Sequence, residues 1–158
     1  MKILNNRLII FLFSLIFSLL FTKYYFIFTH EFYEPASSSK MAEFEADKVF
    51  QKRVLPIFLA DMMSSTLGIP LDKSLKAICT ITCVAILFGF QALVREITQK
   101  KTGILWAYFV FIPVGWNYLA LNSIYHTYDL PCLAFYCWGL YCFLSKRFFL
   151  FYVLFWIG

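Results

Sequence analysis

Apolar and polar positions fall in long blocks: uncharged runs of fifteen or more residues, separated by short segments where charges, Gly and Pro collect. The first block, residues 8–28, is broken only by Lys23. As a helix it would rise about 31 Å, enough to cross a hydrocarbon core of about 30 Å. Further blocks cover 74–94, 103–119 with Trp106 and Trp116 near its ends, and 129–144. Residues 148–158 add ten apolar positions before Gly158, about 15 Å of helix, half a crossing. The expected fold is all-α: a polytopic transmembrane helix bundle forming a single transmembrane domain over 1–158, with about four complete spans and a truncated fifth.

The segment between the first two blocks, 29–73, reads as an aqueous outer loop. Glu31, Glu34, Glu43, Glu45 and Asp47 stand there among Lys40, Lys48, Lys52 and Arg53, with a Pro35-Ala36-Ser37-Ser38-Ser39 breaker. Glu45 precedes Lys48 by three positions, and Ala42, Ala46, Val49 and Phe50 share a helical face, so 41–50 is expected to form a short surface helix. Residues 54–71 are apolar on average but contain Pro56, Asp61, Ser64, Ser65, Thr66, Gly68 and Pro70. A carboxylate in mid-bilayer costs at least about 2.5–3.5 kcal/mol on insertion scales. An amphipathic or re-entrant interfacial helix is therefore expected in place of a crossing.

Composition narrows the class. The 158 residues are 61% hydrophobic, 22% aromatic and 15% charged, against about 45–50% apolar and about 25% charged in soluble domains. Such a chain is neither an ordinary soluble domain nor disordered. The net charge of +5 comes largely from clusters at the ends of apolar runs: Lys2 and Arg7, then Arg95, Lys100 and Lys101, then Lys146 and Arg147. That is the pattern of membrane anchors, so the implied partner is membrane lipid and not nucleic acid. With 54–71 not crossing, all three clusters face the cytoplasm, and the loop 120–129, which has no Lys or Arg, faces out. The N-terminus is expected inside. A cleaved signal peptide is the rival for the first block, but no small-x-small site closes it.

No phosphate loop, HExxH, GxSxG or CxxC motif is present, so neither a cofactor nor a metal is expected. Cys79 and Cys83 share a helical face without His or carboxylate companions and read as core packing. Cys132, Cys137 and Cys142 recur every five residues and read as packing or lipid-facing positions. Glu31 and Glu34, beside His30 just past the first span, are either a solvated helix end or carboxylates at the lip of a membrane cleft, where one would deprotonate an acceptor hydroxyl. Asp61, in an apolar run, is a functional candidate or half of an ion pair with Arg53 or Lys73, unless its helix turns it to water. The stretch 122–131 concentrates Asn122, Tyr125, His126, Tyr128 and Asp129 before Pro131. Asp129 there is expected to cap a helix whose first turn holds the proline.

The order of Lys52-Arg53-Val54-Leu55-Pro56, Tyr128-Asp129-Leu130-Pro131, Gly139-Leu140-Tyr141 and Lys146-Arg147 resembles that of bacterial polytopic membrane proteins laid out like GT-C glycosyltransferases. These use polyprenyl-phosphate sugars. The resemblance implies a bacterial inner-membrane location, a catalytic acid in the first outer loop, and helices lying along the membrane there. It would make Glu31 or Glu34 the general base and Arg53 the donor-phosphate ligand, with Asp61, His126 and Asp129 completing the substrate-binding set. No Asp-x-Asp pair stands in the loop, and enzymes of that class carry further spans, so an N-terminal piece of a longer protein is expected. The alternative is a non-enzymatic small multi-pass membrane protein or an inactive gene remnant. A transporter, relaying ions through Asp61 and Asp129, lacks the inverted repeat expected of that class.

Overall fold

The computed structural model describes residues 2–28, 38–43, 45, 55–99, 105–115 and 129–157. Among these the protein is all-α. Its helices are α1 (Lys2–Phe28), α2 (Ser38–Ala42), α3 (Leu55–Leu67), α4 (Leu71–Thr98), α5 (Leu105–Tyr108), α6 (Phe111–Gly115), α7 (Asp129–Leu144) and α8 (Phe148–Ile157). Two helices, Leu8–Ile27 within α1 and α4, are long and apolar enough to cross a membrane. Helix α7 matches the expected block 129–144, and α4 outruns its expected block at both ends. The surface helix expected over 41–50 is seen only as α2, because 46–50 lie outside the described residues.

Helix α4 is the hub, with α1, α3, α5 and α7 packed on it and α8 packed on α7. Thr22 meets Thr80 and Phe26 lies under Lys76, so α1 runs antiparallel to α4. Pro131 and Ala134 stand level with Ile78 and Thr82 while Trp138 reaches Ala85, so α7 runs parallel to α4. Helix α8 folds back along α7, with Phe148 and Phe151 both against Phe143.

The expected third span, 103–119, is not one continuous helix where it is described. It breaks at Phe109-Val110 into α5 and α6. Pro113 accounts for the break, because it has no N–H to give the Phe109 carbonyl and its ring would collide with that carbonyl in an α-helix. The chain tightens instead: the Val110 N–H donates to Ala107 at 3.3 Å and the Ile112 N–H donates to Phe109 at 3.2 Å, both three residues back as in a 3₁₀ turn.

Helix α3 packs back on α4. Gly68, at φ +65°, ends it in the left-handed conformation that suits glycine, and Ser64 Oγ donates to the Ile69 carbonyl at 2.6 Å. The reversal folds α3 back on α4, burying Ile57 and Ala60 with Met41 and Leu75.

Polarity on α1 is inverted relative to a helix at the surface of a water-soluble fold. On α1 the buried face is Ser14, Ser18, Phe21, Thr22 and Tyr25, while Leu8, Phe13, Ile16, Leu19 and Leu20 are exposed. These buried positions recur at three- and four-residue spacing, one stripe of a helix. The outward faces of α4, α7 and α8 are likewise apolar at Ile81, Tyr136, Phe149 and Trp156, the last being 85% exposed. On α1 small hydroxylated residues thus stand among Phe21 and Tyr25 on the inner side and large hydrocarbon side chains on the outer, within a core that is otherwise mainly apolar.

Candidate functional site

Helix directions sort the charges onto two ends of the bundle. The end where α1 begins and α4 and α7 finish carries Arg95, Lys146 and Arg147, with Glu96 as its acid among the described residues. At the opposite end stand Glu43, Glu45, Asp72 and Asp129, mixed with Lys23, Lys40, Lys73 and Lys76, and α3 with Asp61 belongs to that half. Asp72 accepts from Lys76 Nζ at 2.7 Å, an exposed pair one helical turn apart worth at most a few tenths of a kcal/mol.

Asp61 lies on the outward side of α3 with Phe58, Met62 and Ser65, and it is exposed. Among the described residues no ion pair joins it to Lys73, so that half of the expected pairing is not found. Pro56, Ile57 and Ala60 take the buried side, and residue 61, one turn beyond Ile57, stands at the edge of that side and is exposed. Asp129 opens α7, half-buried, and Pro131 sits in the first turn, where its missing N–H costs nothing. Glu31, Glu34, Arg53 and His126 lie outside the described residues. Among the described residues no three His, Cys, Asp or Glu side chains cluster as metal ligands.

The interior holds a ladder of hydroxyls. Ser14 Oγ and the Tyr108 hydroxyl are 3.2 Å apart, tying α1 to α5. The Thr80 hydroxyl has the Thr22 hydroxyl at 3.2 Å and the Lys76 carbonyl at 2.9 Å as acceptors. Ser18 lies between these pairs on α1, fully buried, with no hydrogen-bond partner for its Oγ among the described residues. Cys79 and Cys83 are buried in the same core as free thiols. Cys137 and Cys142 are buried on α7 and Cys132 is exposed.

The tightest contact was not anticipated. Trp138 lies across Gly89 and its indole N–H donates to the Ala85 carbonyl at 3.0 Å. A Cβ on Gly89 would meet the indole at 2.8 Å and Cys137 Cβ at 3.2 Å, so only glycine admits α7 this close. The signal was in the sequence: Ala85 and Gly89 form a small-xxx-small pair in an apolar helix.

Two apolar hollows border α7. One, of about 200 Å³, lies between α3, α4 and α7 under Leu55, Ile81 and Trp138. The other, of about 470 Å³, is a groove between α7 and α8 with Gly139, Leu140, Phe151 and Phe155 along it and Cys132 at its far end. Neither is lined by a charged side chain. The turn beyond the groove is a Schellman motif: the Arg147 N–H donates to the Cys142 carbonyl at 2.8 Å and the Lys146 N–H to the Phe143 carbonyl at 3.1 Å. Lys146 takes the left-handed position, φ 60°, which glycine normally fills. Arg147 packs over the Tyr141 ring, 5.6 Å from its centroid.

Comparisons with protein-family models, with curated proteins and with solved structures find no match to this chain.

Proposed function

We propose that the chain is a multi-pass integral membrane protein without catalytic activity of its own, acting through its packed and lipid-facing helix surfaces. In this reading α1, α4, the α5–α6 segment and α7 cross the bilayer. Helix α3 enters from the outer side and returns, and the N-terminus is cytoplasmic. The observation that carries the reading is the inverted polarity of α1, Ser14, Ser18 and Thr22 inward against Leu, Ile and Phe outward, which would be ruinous in water and is normal in lipid. The collection of Arg95, Lys146 and Arg147 at the end where α1 begins supports the orientation, because cytoplasmic ends carry the excess of Lys and Arg. Close packing at Ala85, Gly89 and Trp138, and hollows without charged walls, favour a packing role over a reaction chamber.

The test is thiol labelling in intact bacteria with the native cysteines replaced. A cysteine at Glu43 should react with a membrane-impermeant maleimide, and one at Lys146 should react only after permeabilisation. Labelling of both in intact cells, or the reverse pattern, would overturn the topology.

A second reading, a sugar transferase using a polyprenyl-phosphate donor on the outer face, is favoured by one observation. Every described carboxylate except Glu96 belongs to the half of the bundle opposite the basic end, and in sequence Glu31 and Glu34 follow the last residue of α1 within six positions. There Glu31 or Glu34 would serve as base and Arg53 would hold the donor phosphate, with Asp61, His126 and Asp129 around the acceptor.

A further inference from the structure

We infer that the α7–α8 hairpin binds one anionic phospholipid, its phosphate at Lys146 and Arg147 and one acyl chain in the groove below. This rests on the membrane reading above and adds a specific site to it.

The groove supplies the apolar half. Its volume of about 470 Å³ lies in the range of sites that hold small ligands, and its lining extends from Gly139, Leu140 and Phe151 to Cys132 and Phe155. Gly139 leaves room for it, since a Cβ there would have Phe151 Cδ2 at 4.0 Å as its nearest neighbour. The turn supplies the charge. Lys146 and Arg147 are exposed, and neither is paired with a carboxylate among the described residues. The Phe151 N–H donates to the Arg147 carbonyl, so Arg147 caps α8 and the N–H groups of the first α8 residues have no helical carbonyl to bind. Two cations and the positive end of a helix therefore lie one helical turn from Phe151, beyond the Phe143–Phe148 contact and on the side of the groove where Leu140 and Phe151 line it. Charge complementarity selects an anionic headgroup, and the apolar slot selects a lipid over a free anion.

Lys146 adds an independent point. A non-glycine residue in the left-handed conformation costs about 1–2 kcal/mol. At Gln99, the other such residue described, the side chain donates to the Glu96 carbonyl at 2.6 Å and offsets part of that strain. Lys146 has no such bond among the described residues, and what it brings to the turn is its charge.

The experiment is native mass spectrometry of the full chain released from micelles supplied with equal phosphatidylglycerol and phosphatidylcholine of matched acyl chains. The wild type is expected to retain one phosphatidylglycerol in preference. K146Q/R147Q should lose that preference by about thirtyfold, two surface charges' worth. G139L, which fills the slot, should lose both lipids. K146G should weaken the preference while keeping or raising thermal stability, which separates the charge from the fold. Equal retention of the two lipids, an unchanged preference in K146Q/R147Q, or displacement by inorganic phosphate alone would each overturn the site. Extraction of the chain from membranes by alkaline carbonate would instead overturn the membrane reading itself, so the two failures are distinguishable.

Discussion

Gly89→Ala tests the packing argument most directly. The added methyl group would stand 2.8 Å from the Trp138 indole nitrogen and 2.9 Å from Cδ1, with Cys137 Cβ at 3.2 Å on the other side. The indole has to move, and its bond to the Ala85 carbonyl goes with it. An interhelical hydrogen bond in lipid averages about 0.6 kcal/mol and overpacking costs about 1–3 kcal/mol. The expected loss is about 2–3 kcal/mol, read from dodecyl sulfate unfolding of the purified chain in mixed micelles and followed by circular dichroism. Trp138→Leu alone should cost about 1–2 kcal/mol through the lost bond and ring contact. Because the leucine frees the space the new methyl needs, the double variant should be more stable than the sum of the single losses by at least about 1 kcal/mol. Additivity within about 0.5 kcal/mol, the level expected of independent sites, would refute the contact.

Ser18→Ala removes a buried hydroxyl without a partner among the described residues and should raise stability by about 1 kcal/mol in the same unfolding assay. Ser14→Ala should lower it by up to about 1 kcal/mol, with Tyr108→Phe adding little further because both remove one bond. Pro113→Ala restores a donor for the Phe109 carbonyl and should join α5 to α6, seen as increased amide-exchange protection at 110–113. For the transferase reading, Glu31→Gln and Glu34→Gln, made in any longer version of the protein that transfers sugar, should include one variant without activity. Full activity in both removes the proposed base.

Helix positions were largely legible because lipid makes the signal simple: a run of apolar residues closed by charges. Helix α7 is a clear case, begun by Asp129 with Pro131 behind it and stopped before Lys146 and Arg147. The break at Phe109-Val110 is not carried by hydropathy, since an apolar run reads the same whether or not its helix is interrupted; its signal is Pro113 and the N–H that proline lacks. Hydropathy also hid what holds the helices to one another. Gly89 is one more uncharged residue in a run, and its role emerges only when Trp138, 49 positions away, is seen to lie over it. The candidate site was less legible. For Asp61 the sequence leaves an ion pair and an outward-turned side chain both open, and the helix shows it exposed at the edge of the face that Ile57 and Ala60 bury, with Arg53 outside the described residues.

The wet chemistry of α1 has a practical sequel. Its Ser14, Ser18 and Thr22 already give the interior the small, hydroxylated character that lets backbones approach, so transferring this bundle to detergent-free buffer is a problem of repainting the perimeter. Exchanging Leu8, Phe13, Ile16, Leu19 and Leu20 for Glu, Lys and Gln, with matching changes outside α4 and α7, would leave each internal contact described above in place.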